Sequence, residues 1–280
     1  MRQEYLYRYY DKFGEGGFKR LMNDGFITKN THYNYVPTKT APGHASVYTG
    51  STPRYHGIIS NSWYDRKERK VLDNVSDPSM KTVGSSSSRG QKSPFKLKGT
   101  TITDELQIFS NGRSKVISMS LKDRGAILPG GHLANGAYWY DGETGKFVTS
   151  TFYMEELPDW VEQFNKTKKV DSLMNLGWNT LLPIAEYVES DSDDQPYERG
   201  FLIKDKPVFP YDLKKLSKKD KYDLLMRTPH GNTVLRQLAE TAISSESLGK
   251  SEITDFLAIS FSSTDAVGHA FGPQSVEIED

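Results

Sequence analysis

Apolar residues recur at Tyr5, Leu6, Tyr9, Phe13, Phe18, Leu21 and Met22, a spacing that predicts a helix from Tyr5 to Met22. Gly14-Glu15-Gly16-Gly17 interrupts it and Gly25 closes it. A strand is predicted from His32 to Val36, then a short helix through Ala45 to Tyr48 that stops near Gly50. The stretch from Ser76 to Gly99 is rich in Ser, Lys and Gly and reads as a surface loop. Thr103 to Phe109 reads as a helix, with Asp104 and Glu105 in the first turn where negative charge suits the dipole, and Gly112 beyond its end. Lys115 to Ser120 predicts a short buried strand. Ala137 to Asp141 and Lys146 to Tyr153 predict a hairpin around Gly142 to Gly145.

Glu189 to Glu198 reads as an acidic loop and Lys214 to Lys221 as a basic one, both solvated faces. Asn232 is expected to cap a helix through Ala242, with Gly249 ending that region. Asp255 to Phe261 is a near-continuous apolar run, the pattern of a buried parallel strand. Strands alternating with helices predict an α/β fold whose sheet is covered by helices on both faces. Sites in such folds gather at the carboxyl ends of the strands. No internal repeat is present.

Composition narrows the chemistry. With 36 basic and 36 acidic residues among 280, the net charge is zero, which argues against a nucleic-acid or membrane-surface binder. No run approaches the ~20 apolar residues of a membrane span. There is no cysteine, so disulfides and thiolate zinc sites are excluded, and any transition metal must sit on His, Asp, Glu or hydroxyl oxygen.

Three segments share one layout, an apolar strand followed by reactive polar residues: Tyr35 to Thr40, Val116 to Arg124 and Leu257 to His269. If these strands are parallel, their polar tails meet at one rim. Asp265 and His269 lie four apart, on one helix face, and offer a carboxylate and an imidazole of the kind zinc accepts; the same spacing also occurs in caps and surface pairs. Lys122 and Arg124 flank Asp123 and can grip a phosphate, or form a charged turn. The Asn61 amide can donate to a phosphoryl oxygen, or bond its own backbone in a turn. Thr40 reads as a helix N-cap with Pro42 in the first turn, and a helix N-terminus is itself an anion site. Of the six histidines only His269 is a ligand candidate; His44 lies too near Thr40 on one turn to act as its base.

Thr38-Lys39-Thr40-Ala41-Pro42-Gly43-His44, His56-Gly57-Ile58 and Asn61-Ser62-Trp63-Tyr64-Asp65 resemble the alkaline phosphatase superfamily, in its type I phosphodiesterase/nucleotide pyrophosphatase branch. Ser120-Leu121-Lys122-Asp123-Arg124 and Ser260 to Asp265 with Gly268-His269 are similar to the bacterial PafA-type phosphate-irrepressible alkaline phosphatases. The resemblance implies an alkaline-phosphatase-like central sheet, Thr40 as a nucleophile that also touches one zinc, Asp265 and His269 as ligands of a second zinc, and Asn61, Lys122 and Arg124 on the phosphoryl oxygens. It implies a phosphate monoester hydrolase working through phosphothreonine at a two-zinc site, acting on small phosphate esters, monomeric, and exported to the periplasm or beyond. The alternatives are a phosphodiesterase or nucleotide pyrophosphatase of the same superfamily, or a catalytically inactive product.

The family pattern needs further zinc ligands, one before the start of this chain and three after its end. The sequence is therefore expected to be a partial catalytic domain over 1–280, with loop or insert regions near 76–99 and 137–230, lacking its signal peptide and having negligible activity by itself.

Overall fold

The computed structural model describes residues 2–199 and 206–280. Its elements run α1 (Tyr5–Arg8), α2 (Phe18–Asp24), α3 (Thr40–Thr49), α4 (Pro53–His56), β1 (Ser62–Asp65), β2 (Lys70–Asp73), β3 (Thr82–Val83), α5 (Ile102–Phe109), β4 (Val116–Ser120), α6 (Asp123–Gly130), β5 (Gly136–Asp141) and β6 (Lys146–Ser150). There follow α7 (Asp159–Lys166), α8 (Lys169–Met174), α9 (Lys218–Leu224), α10 (Pro229–Ser245), β7 (Phe256–Ser260), α11 (Ser263–Phe271) and α12 (Val276–Glu279).

Five strands form one mixed sheet in the order β3-β6-β5-β4-β7. β4 runs parallel to β5 and to β7, while β5 and β6 make the antiparallel hairpin foreseen around Gly142 to Gly145. Alternation along the strands divides the core between two faces. Ile117, Met119, Tyr138, Tyr140 and Phe147 pack with Val161 and Phe164 of α7 and with Val234, Leu235 and Leu238 of α10. Ala137, Trp139 and Val148 pack on the other face with Ala41 and Ala45 of α3 and with Ala126, Ile127 and Leu128 of α6. The fold is thus α/β, with helices on both faces.

On the α6 side, β4 presents Ser118 and Ser120, both fully buried. Small residues let α6 lie close: Ser118 Oγ donates to the Ala126 carbonyl, and a Cβ on Gly125 would stand 2.6 Å from Ser120 Oγ.

Several expectations are corrected. The first helix is broken further, with a 3-10 turn at Tyr10–Lys12 between α1 and α2. No strand forms over 32–36; Tyr33 and Val36 are exposed, and among the described residues no strand pairs with them. The basic stretch from Lys214 is a 3-10 turn followed by α9, which Ser217 caps by accepting from the Asp220 N–H; buried Leu213, Tyr222 and Leu224 anchor it. The helix assigned to start at Asn232 starts at Pro229 after Thr228. β7 is only half-buried, because among the described residues it pairs on one side alone, with β4.

Candidate active site

α3 begins at Thr40. Lys39, not Thr40, is the N-cap, with extended backbone and no side chain capping the turn. The first-turn donors are nevertheless partly used. Ala41 N donates to Asn61 Oδ1 at 2.9 Å, Pro42 has no N–H, and Gly43 N donates to the Lys39 carbonyl at 3.0 Å. Only the oxygen of the Asn61 amide can accept from an N–H, so its nitrogen keeps both hydrogens for another acceptor. Asn61 therefore braces α3 instead of closing a turn on its own backbone.

The tail of β4 supplies the cations. Lys122 Nζ lies 2.6 Å from Asp265 Oδ2, on the first turn of α11. Burial pushes the Asp265 carboxyl up, but the Lys122 ammonium and its hydrogen bond outweigh this and hold it below the usual carboxylate range. One turn along, His269 Nε2 stands 3.6 Å from Asp265 Oδ1, so the two residues share a face as their spacing requires. Arg124 Nη1 is 3.5 Å from Asp123 Oδ1. The other Asp123 oxygen meets Lys92 Nζ at 3.1 Å, and that ammonium also reaches Asp73 Oδ1 at 3.2 Å. Arg124 Nε is buried with no hydrogen-bond partner.

Lys39, Thr40, His44, Lys122, Ser260 and Asp265 line one cleft of about 450 Å3. Lys122 also lines an adjoining hollow of about 260 Å3, with Arg89, Asp123 and Arg124. Of the residues singled out in the sequence, Thr40, Lys122 and Asp265 thus share one cleft. Arg124 sits in the adjoining hollow, Asn61 supports the α3 start, and His269 lies one helical turn from Asp265. A larger hollow, about 860 Å3, lies between α7 and α10. It is lined by residues such as Trp160, Gln163 and Thr241 and brings together no comparable set, so chemistry and not volume picks the site.

Sequence reasoning missed two residues of this neighbourhood. His44 accepts no catalytic role as a base, yet its ring bonds both Thr40 O and Ser260 Oγ at 2.9 Å. Burial lowers its pKa, more than the hydrogen bond to Thr40 raises it. Lys92 lies in the loop from Ser76 to Gly99 and has no local signal. Serines at the ends of apolar strands, Ser120 and Ser260, were the available hint for the first.

The donors fit a zinc ion in kind, with a carboxylate, an imidazole and a hydroxyl all within the set zinc accepts. Asp265 Oδ1 and His269 Nε2 are near enough to face one ion. Among the described residues no group of three or more His, Asp or Glu clusters as a complete ligand set.

Comparison with known proteins gives the chain's family. A model of the type I phosphodiesterase / nucleotide pyrophosphatase family matches residues 1–280. Alkaline phosphatase PhoV of Synechococcus elongatus is 52% identical over 280 residues, which is 100% of this chain and 51% of PhoV. Alkaline phosphatase PafA of Elizabethkingia meningoseptica is 50% identical over 282 residues, covering 100% of this chain and 52% of PafA. A crystal structure of wild-type alkaline phosphatase PafA superposes with a TM-score of 0.95 at 48% identity, covering 100% of this chain and 54% of that one. The chain spans about half the length of the curated relatives it matches. By its sequence over the whole length and by its fold, it belongs to the type I phosphodiesterase / nucleotide pyrophosphatase family.

Proposed function

We propose that this chain carries the nucleophile and phosphate-holding part of a phosphate monoester hydrolase. The observation that carries the reading is the meeting of Thr40, Lys122 and Asp265 around one cleft at the open start of α3. The whole-length similarity to proteins named alkaline phosphatase supports it.

The Thr40 hydroxyl attacks phosphorus. The Thr40 Oγ–P bond forms, the bond from phosphorus to the ester oxygen breaks, and the alcohol leaves with a proton. Water then cleaves phosphothreonine, releasing inorganic phosphate and restoring the hydroxyl. Asp265 and His269 would hold one zinc ion and Thr40 would touch a second. Zinc, when bound, supplies positive charge that lowers the pKa of a neighbouring hydroxyl. The remaining work is positioning and charge neutralisation. Lys122 has three donors, so it can keep Asp265 and still reach a phosphoryl oxygen. Arg124 offers a planar fork whose Nε has no other use. Asn61 keeps its amide hydrogens for the same group. Two cations suit a monoester, which has one more anionic oxygen than a diester.

Thr40→Ala in the full-length protein is expected to abolish phosphoenzyme and to cut turnover of an aryl phosphate roughly a thousandfold or more. Burst kinetics that survive the substitution would remove Thr40 from this role. The family name favours a second reading, a phosphodiesterase. An aryl diester cleaved faster than the matching monoester would select it. Export belongs to the same reading, and activity confined to the cytoplasmic fraction would contradict it. No helix among the described residues is long and apolar enough to cross a membrane.

A further inference from the structure

Between Thr40 and Lys122 runs a chain of hydrogen bonds. The Thr40 carbonyl can only accept, so His44 Nδ1 carries the hydrogen in their 2.9 Å bond. In the neutral ring Nε2 then has a lone pair, and it accepts from Ser260 Oγ at 2.9 Å. The Ser260 carbonyl in turn accepts from Ser120 Oγ at 2.9 Å. Ser120 Oγ, having given its hydrogen away, accepts from the Lys122 backbone N–H at 3.1 Å. Three elements distant in sequence, the start of α3 and the ends of β7 and β4, are thereby tied at their rims. Gly125 seals the tie: a Cβ there would lie 2.6 Å from Ser120 Oγ and 3.2 Å from Ser260 Oγ.

We infer that His44 is a positioning residue, held as its Nδ1–H tautomer by the Thr40 carbonyl and tied through Nε2 to Ser260, which sets the backbone of Thr40 against that of Lys122. This rests on the reading of Thr40 as nucleophile and Lys122 as phosphate holder, and deepens it. A base is not what the geometry provides, since both ring nitrogens are spent on Thr40 O and Ser260 Oγ. A link of this kind acts on geometry, and a displacement of about 1 Å between reacting groups costs on the order of a hundredfold in rate.

The test uses the full-length protein labelled with nitrogen-15 histidine, with p-nitrophenyl phosphate as the probe of turnover. The His44 signal, assigned by its loss in His44→Gln, is expected to show a protonated Nδ1 and an unprotonated Nε2. Ser260→Ala leaves the Thr40 carbonyl in place, so it is expected to keep that tautomer while lowering kcat by about tenfold to a hundredfold with KM changed less than about threefold. His44→Asn, which keeps a donor for Thr40 O but cannot reach Ser260, should lose kcat as Ser260→Ala does, and combining the two should cost no more than either alone. Wild-type kcat in folded Ser260→Ala would overturn the link, and so would a protonated Nε2 with a bare Nδ1 in the parent protein. So would losses in the two single variants that simply multiply in the double. Thr40→Ala separates the failures: if it is dead while Ser260→Ala is normal, the link is wrong, and if it stays active, the nucleophile reading falls and takes the link with it.

Discussion

Two helix starts in this protein solve the same problem in opposite ways. α5 closes its own. Thr101 accepts from the Asp104 N–H, and Asp104 accepts from the Thr101 N–H, at 3.1 and 2.9 Å. The other Asp104 oxygen takes the N–H groups of His132 and Leu133 at 2.7 and 2.8 Å, and His132 Nδ1 adds a bond to the first oxygen at 3.2 Å. Nothing of Asp104 is exposed. Gly131 turns with φ +69 beside this knot, where a Cβ would lie 2.3 Å from Thr101 Oγ1. α3 by contrast has no side-chain cap of its own and borrows one acceptor from Asn61. What sets α3 apart is not spare donors, since Ala41 and Gly43 spend theirs and Pro42 has none, but a cleft at its start lined by Lys122, whose charge can receive an anion.

The contrast predicts that damage to α5 costs stability and damage to α3 costs activity. Asp104→Ala leaves three backbone donors without their acceptor and half-buried His132 without its carboxylate, and is expected to destabilise folding by about 3 kcal/mol. Urea unfolding measures this, and turnover per folded molecule should stay near that of the parent. A fully stable Asp104→Ala would erase the distinction. Asn61→Ala removes one acceptor from α3, at about 1 kcal/mol of stability, while losing a phosphoryl donor worth on the order of a hundredfold in kcat. Equal losses in both variants would show that the two helix starts do not differ in kind.

The smallest effect is on pH dependence. The Asp104 hydrogen bond raises the His132 pKa, against some burial, so His132 contributes stability below its usual 6.5 and loses it as pH rises through the raised value. For Asp104, burial pushes the pKa up, but the bonds from His132, Thr101 and Leu133 win and hold it down. It contributes above its usual 3.8 and loses that as pH falls through the depressed value. The pair therefore acts in full between those two usual values. Thermal unfolding from pH 6 upward should show a decline that His132→Gln abolishes; an identical decline in the variant would remove the pair as its cause.

Much of this layout was legible in the sequence because its signals are local. Asp104 in a first turn, the apolar run before Ser120 and the glycines between β5 and β6 each act within a few residues. The tyrosine-rich stretch from His32 failed as a strand because a strand needs a partner, and none is written in its own pattern. The bond from Ala41 to Asn61 was not legible because it depends on α3, and the Lys122–Asp265 contact joins segments that only the sheet brings together. That Asp265 and His269 share a face was legible because four residues on one helix is again a local relation.

β4 and β7 lie side by side, yet the Ser120–Ser260 bond spans 140 positions of chain. The hairpin of β5 and β6 turns within a few residues. Closing the longer loop comes at an entropic cost before any contact rewards it, so such pairings form late. Thr40, Lys122 and Asp265 therefore have no fixed relation in a chain that has folded only as far as its hairpin, and the cleft is expected to form after that hairpin. In pulse-labelled refolding, amides of β5 and β6 should gain protection before those of β7. Simultaneous protection would mean that the site and its scaffold arise together.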